Sequence, residues 1–548
     1  MAMFVDARTR ALQAASTDAV LPSSSDPVAD LAAERRRAGF DVAELMRFLH
    51  GGQERIDRKA RLAEMLQKTD WGNKSRRYFM TTEEQYVAGL QVAFGIRELV
   101  KEHGLSEADR RLLALMVALP GGLDVHDLMF VPCFIDHGTE EQQEKWVERA
   151  RNCEVIGAYA QTELGHGTFV RGLETTATYD PERAEFILHS PTLTSTKWWP
   201  GGLGKTASHC ILTARLFVKG VDRGPHVFVV QLRSMEDHKP LPGIMLGDIG
   251  PKFAYRGVDN GFLRFDHVRV PRDAMLMRFA KVTPGGEYVP PTADNAKSTY
   301  ATMMYVRCGL AGDSARHLAM AVTIAVRYCA VRRQTAPSPG LKETQVLDYQ
   351  SVSGTLLPLI ATSFALHFSG KAAMASYHDF ERRRDTGDFD GLAELHALSA
   401  GLKALCTWVT ADGIEACRRS CGGHGYSRLS GLPDLYGFYV KNVTLEGENK
   451  VLCLQVGRHL IKALLAAQSG RPLRGAAAYL SDGFFEMSQL CAVDQRARWL
   501  DHGVQAEAFR RAAVQAVASA ADLLREEGGG EVAFEGAVWN ACNEAVIK

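Results

Sequence analysis

Phe262-Leu263-Arg264-Phe265-Asp266-His267-Val268-Arg269-Val270-Pro271 alternates apolar and polar side chains with a period close to two. That spacing suits a strand with one buried face and does not line one side of a helix. Upstream, the same character holds in His226-Val227-Phe228-Val229-Val230-Gln231-Leu232, in Cys210-Ile211-Leu212-Thr213-Ala214-Arg215-Leu216 and in Phe186-Ile187-Leu188. Turn residues punctuate these runs, among them Val221-Asp222-Arg223-Gly224-Pro225. Short strands joined by such turns predict an antiparallel β domain, assigned to 154–295.

On either side, spacings of three and four take over. Residues 41–153 read as an N-terminal helical domain, in which Glu83-Glu84-Gln85-Tyr86 opens an apolar run through Val87, Leu90, Val92 and Ile96 to Leu99. Beyond the strands, 309–333, 344–380, 391–421 and 449–467 are long amphipathic candidates, which assigns 296–470 to a C-terminal helical domain. Residues 471–548 read as a second C-terminal helical domain. It is interrupted at Gly528-Gly529-Gly530 and still helical over 532–547 where the sequence stops, so it reads as incomplete. Residues 1–40, rich in Ala, Ser, Asp and Arg, read as a flexible lead-in. The expected fold class is α+β, mostly α: N-terminal helical domain, central antiparallel β domain, C-terminal helical bundle, and a second, truncated helical domain.

A chain of 548 residues exceeds what one hydrophobic core holds. Lys plus Arg and Asp plus Glu are 64 each, so no global field draws it to nucleic acid or an anionic surface. No uninterrupted apolar run reaches about 18 residues, so no membrane span is expected. The N-terminus lacks a secretory pattern, and Ala545-Val546-Ile547-Lys548 is no Ser-Lys-Leu type address, so no targeting signal is visible. The 11 cysteines include no CxxC pair and imply reduced thiols. Cys417, Cys421 and His424 supply only three ligands, one short of a structural zinc set, so no metal is expected.

Four segments carry candidate chemistry. Tyr159-Ala160-Gln161-Thr162-Glu163-Leu164-Gly165-His166-Gly167-Thr168 is rich in donors and close-approach glycines, and equally fits a polar turn. Lys197-Trp198-Trp199-Pro200-Gly201-Gly202-Leu203-Gly204-Lys205 can wall a flat ring, although tryptophan pairs more often serve a core. Cys421-Gly422-Gly423-His424-Gly425-Tyr426 suits backbone packed on a phosphate, or a helix cap and turn. Thr444-Leu445-Glu446-Gly447-Glu448-Asn449 puts two carboxylates at a helix entrance, where most acidic residues only answer the helix dipole.

Taken in order, these segments resemble the acyl-CoA oxidases, relatives of the acyl-CoA dehydrogenases. The resemblance extends through RGLETTATYD at 171–180, GDIGPKF at 247–253, VRRQ at 331–334, LDYQ at 347–350 and CGGHGYSRLSGLPDLY at 421–436. RGLETTATYD and KWWPGGLGK are worded as in the oxidases rather than the dehydrogenases. The resemblance implies FAD, with Thr162 and Gly201 at the flavin. It implies that Arg333, Gln334 and Gln350 reach flavin partly across a homodimer interface. It places Gly422 and Gly423 near the pyrophosphate and adenosine. Glu446 matches the catalytic base, followed by Gly447 and Asn449 as in the family.

The implied reaction is α,β-dehydrogenation of a fatty acyl-CoA to the trans-2-enoyl-CoA. Oxygen reoxidises FAD to give hydrogen peroxide, the first step of peroxisomal fatty acid β-oxidation. The implied partners are fatty acyl-CoA, O2 and a second copy of the chain. A carboxylate held in a dry pocket has its pKa raised and becomes a competent base for the α-proton of a thioester. The rival readings are an acyl-CoA dehydrogenase that uses an electron-transfer flavoprotein, and a non-catalytic scaffold on the same fold. Three features depart from the family: Leu445 stands where an aromatic residue is usual, the lead-in is longer, and the C-terminal part is shorter.

Overall fold

The computed structural model describes residues 26–73, 75–292, 301–338, 343–384, 388–389, 391–473, 475–483 and 496–526. Helix α1 (Pro27–Arg36) starts where Asp26 accepts from the Val28 and Ala29 amides, with Pro27 in the first turn. The expected flexible lead-in over 1–40 therefore differs at its described end, because Asp-Pro is a helix-start signal. Asp41 caps α2 (Val42–His50) in the same way, and Gly51 ends it at φ 77°. Then come α3 (Gln53–Gln67), α4 (Thr82–His103), α5 (Glu107–Val117), α6 (Val131–His137) and α7 (Glu140–Arg151). Helix α4 opens on a Thr81–Glu84 capping box. Leu62, Leu66, Val92, Ile96, Leu113 and Val117 from α3, α4 and α5 bury one shared core.

The strands are β1 (Gly157–Ala160), β2 (Thr176–Asp180), β3 (Glu185–His189), β4 (Lys197–Trp198), β5 (His209–Val218), β6 (Val221–Gln231), β7 (Ile244–Asp248), β8 (Gly261–Phe265), β9 (Val268–Pro271), β10 (Lys281–Val282) and β11 (Tyr288–Val289). One sheet runs β1-β5-β2-β3-β9 with β6 on the free side of β5, and a second runs β4-β8-β7. Phe186, Leu188, Leu212, Phe228, Leu263 and Phe265 bury their side chains in a core common to both sheets.

Three expectations need correction. The larger sheet is mixed, because β1 and β2 both pair with β5 in parallel. Parallel neighbours need long connections, and the stretches between these strands supply them. The turn expected at 221–225 is part of β6. The hairpin reverses at Lys219 and Gly220, whose φ values of 51° and 76° suit a two-residue turn. The alternating stretch from Phe262 to Pro271 also proves to be two strands in different sheets, joined by Asp266 and His267.

The C-terminal part comprises α8 (Ala301–Val331), α9 (Gln350–Arg384), α10 (Leu392–Ser420), α11 (Gly422–Tyr426), α12 (Leu432–Tyr439), α13 (Asn449–Gln468), α14 (Tyr479–Gly483) and α15 (His502–Glu526). Between α8 and α9, β12 (Arg333–Gln334) pairs with β13 (Thr344–Gln345), so α9 starts six residues later than the expected 344. Helix α15 lays Val514, Val517 and Ala521 against Ile461 and Leu464 of α13. The expected helix over 532–547 lies outside the described residues.

Helix α9 is long and apolar enough to cross a membrane by length and composition alone, with mean hydropathy 1.3 over its best window. Unbroken apolar runs had given no hint of it, and one such helix is weak ground for a span. The chain divides into two compact units. Met1–Gln53, Asp313–Phe368 and Val409–Tyr436 form one. Glu54–Gly312, Ser369–Trp408 and Gly437–Lys548 form the other.

Candidate active site

Helix α13 begins at Asn449 because Glu448 caps it, its carboxylate accepting from the Val451 amide at 3.2 Å. The turn just before is tight, with Glu446 at φ 59° and Gly447 at φ 103°. A non-glycine residue in the left-handed region costs on the order of 1–3 kcal/mol and persists only where its surroundings hold it.

Two buried cations hold this turn. Arg307 Nε of α8 donates to the Glu446 carbonyl at 3.1 Å, and Lys403 Nζ of α10 donates to the Gly447 carbonyl at 2.7 Å. Lys403 also donates to Asn449 Oδ1 at 2.8 Å. Asn449 is fully buried, and its Nδ2 donates to the Ala404 carbonyl and to Thr407 Oγ1 at 3.2 and 2.9 Å. The Asn449 side chain, expected at the cofactor, braces the turn. Gly447 answers its own φ and the space available: a Cβ there would stand 2.7 Å from Leu452 Cδ2. Leu445, next to Glu446, is partly buried.

The brace leaves Glu446 free. Among the described residues none hydrogen-bonds its carboxylate or takes its backbone N–H. Burial raises its pKa, while Arg307 and Lys403 pull the other way. Burial lowers the pKa of both cations in turn, that of Lys403 to about 8. Burial, and then the nearby Cys133 and Glu446, push the phenol of Tyr159 in β1 upward. Glu446 and Glu448 thus divide the roles that the motif left open: one carboxylate is free and poorly solvated, the other is a helix cap.

Three residues past Tyr159 lies Thr162, in a loop fixed by a fully buried ion pair. Lys197 Nζ donates to Glu163 Oε1 at 2.9 Å, to the Gln161 carbonyl at 2.9 Å and to the Thr213 carbonyl at 2.7 Å. Glu163 also accepts from the Glu174 and Thr175 amides and from Thr175 Oγ1 at 2.6 Å. The Trp198 amide donates to the Thr162 carbonyl at 2.9 Å. Among the described residues, the Thr162 hydroxyl and N–H have no partner. Trp199 stands 54% exposed beside this loop, unlike a core tryptophan. Free donors next to an open aromatic face fit a flat, polar-edged ring such as flavin. Gly201 answers packing, since a Cβ there would lie 2.9 Å from Val125 Cγ2.

The other expected residues fall in the other unit. Gly422, at φ 57°, and Gly423 are exposed with open space where a side chain would stand, whereas Gly425 is forced by the Arg418 carbonyl. Gln334 and Gln350 are exposed. Arg333 Nη2 and Nε fork onto Asp30 of α1 at 2.9 and 3.0 Å, and Nη1 donates to the Glu343 carbonyl. Cys417, Cys421 and His424 form no compact ligand set among the described residues.

The sequence reading missed Arg307, Lys403, Asp30 and the Glu163–Lys197 pair. The available signal was a lone cation within apolar helical stretches, Val306-Arg307-Cys308 and Leu402-Lys403-Ala404.

Residues 41–156 match the acyl-coenzyme A oxidase N-terminal family, and residues 300–461 match the acyl-CoA oxidase C-alpha1 domain. Peroxisomal acyl-coenzyme A oxidase 1 of Arabidopsis thaliana is 45% identical over 501 residues, covering 91% of this chain and 75% of that protein. The structure of Arabidopsis thaliana acyl-CoA oxidase 1 superposes with a TM-score of 0.91 at 43% identity, over 96% of this chain and 80% of that one. Acyl-CoA oxidase-2 of Caenorhabditis elegans, solved with FAD, ascaroside-CoA and ATP, gives 0.87 at 35% identity over 96% and 79%. A free, half-buried carboxylate on a braced turn, a donor loop beside an open tryptophan and likeness along nearly the whole sequence lead to one conclusion: the chain belongs to the acyl-CoA oxidase family.

Proposed function

We propose that this chain is an FAD-dependent acyl-CoA oxidase that converts fatty acyl-CoA and O2 to trans-2-enoyl-CoA and H2O2, with Glu446 as the base. The observation that carries the reading is Glu446 itself, a carboxylate of raised pKa left without a partner on a strained turn. Its carboxylate accepts the α-proton of the thioester and holds it at Oε. Its unpartnered backbone N–H is a donor for the thioester oxygen, where negative charge develops as the proton leaves. Arg307 and Lys403 keep both groups in place by fixing the turn's carbonyls. Thr162 and Trp199 would hold the flavin ring. The chemistry that FAD would supply there is acceptance of the β-hydride and reoxidation by dioxygen.

The same reading makes the enzyme a homodimer. Supporting it, the apolar window of α9 is only 11% buried, and Leu357 on it is 54% exposed. The compartment is the peroxisome, on family membership. An oxygen-electrode and peroxide assay with a ladder of acyl-CoAs tests the activity. Stoichiometric O2 loss and H2O2 gain is expected; electron transfer to an artificial acceptor with no O2 uptake would overturn the oxidase reading.

A further inference from the structure

We propose that His189, Asp266 and His267 form a binding site for a borderline divalent cation such as Zn2+, outside the residues assigned to the reaction. One ligand atom from each lies within 4.8 Å of the others. His267 Nδ1 is 2.8 Å from Asp266 Oδ1, and His189 Nδ1 is 3.9 Å from the same oxygen. Two ligands on one tetrahedral ion, with bonds of about 2.0–2.2 Å, stand roughly 3.4 Å apart. The shorter distance is the hydrogen bond that His267 makes to Asp266, and the longer one is open, so an ion closing the set takes the place of that hydrogen bond. The two imidazoles are stacked, ring centroids 3.9 Å apart and planes 25° from parallel, so binding one ion through both requires His267, the more exposed ring, to swing off His189.

The independent observation is His189 Nδ1. This atom is shut off from solvent and has no hydrogen-bond partner, a state that costs free energy unless something fills it. The carboxylate on its side of the cluster is Asp266, too distant for a hydrogen bond. A cation between them satisfies both groups.

The backbone fixes this arrangement in advance. His189 ends β3, whose neighbour Leu188 pairs with Val268 of β9. The Asp266 amide donates to the Gly243 carbonyl at 2.8 Å, and the Ser190 amide donates to the Phe265 carbonyl at 2.8 Å. His267 adopts φ 51°, which brings its ring back over His189. Two imidazoles and one carboxylate suit Zn2+, Cu2+ or Ni2+ rather than Mg2+ or Ca2+. Three protein ligands leave a fourth position for water. Such an ion would pin the end of β3 to the crossing between the two sheets.

The test uses the flavin-loaded enzyme, washed with chelator and titrated calorimetrically with ZnCl2, and in parallel with CuSO4 read by electron paramagnetic resonance. The expected result is one saturable site that shows nitrogen coupling with Cu2+. His189→Ala and His267→Asn should each weaken it at least tenfold; asparagine is chosen because it tolerates the left-handed backbone. Both variants should keep parental flavin content and turnover. A parental isotherm in both variants, or no saturable site in the parent, overturns the proposal. Asp266→Asn, which leaves both rings in place, gives a third arm with weakened binding expected.

Discussion

At Glu446 the raised pKa is the balance of burial against two nearby cations. Only the ionised carboxylate takes a proton, so turnover rises with pH through that raised pKa. Removing Arg307 removes a nearby positive charge that favours the ionised carboxylate. Arg307→Met should therefore move the acid limb of kcat/KM to higher pH, and Arg307→Lys should largely restore it. A limb unchanged in the methionine variant would remove Arg307 from the account. The same balance has a stability consequence. A carboxylate whose folded pKa is raised contributes stability that is full below its unfolded pKa and lost as pH rises through the folded value. Glu446→Gln should thus melt no lower than the parent at pH 8 in a thermal scan. Family wording made Glu446 legible in the sequence. Arg307 and Lys403 were not, because spacing does not say which carbonyl a lone buried cation faces.

At the element scale, the start of α13 separates two carboxylates that stand two residues apart in sequence: Glu448 caps the helix, and the Glu446 carboxylate has no hydrogen-bond partner among the described residues. Glu448→Ala removes a cap and should cost about 1 kcal/mol in denaturant unfolding, with turnover within a few-fold of the parent. Loss of turnover comparable to that of a Glu446 variant would show that Glu448 does more than cap. The loop around Thr162 depends on the Glu163–Lys197 pair. Lys197→Met strands a buried carboxylate and should cost about 3–5 kcal/mol, with weaker FAD retention on gel filtration. Lys197→Met combined with Glu163→Leu should recover much of the stability. Strand and helix existence was readable from periodicity at these elements. Their pairing was not: parallel contact of β1 and β2 with β5 is decided by long connections whose path has no local signature. Lys219-Gly220 was passed over because the Gly-Pro at 224–225 gave a louder turn signal than a hairpin whose first residue is lysine.

For the whole molecule, the order helical, β, helical was legible before any coordinates, and the family follows from phrases spread along the chain. Less legible was the reach of the N-terminal segment, where Asp30 occupies the Arg333 fork. In the proposed dimer, light scattering of the flavin-loaded enzyme should give twice the chain mass of 60.1 kDa. A stable flavin-loaded monomer would remove the proposed role of α9. Base and cofactor can be separated in one anaerobic stopped-flow experiment. Glu446→Gln enzyme, loaded with FAD and mixed with saturating acyl-CoA, should bind the substrate yet bleach its flavin absorbance orders of magnitude more slowly than the parent. Bleaching at close to the parental rate would mean that another group takes the α-proton, and would contradict the account at its centre.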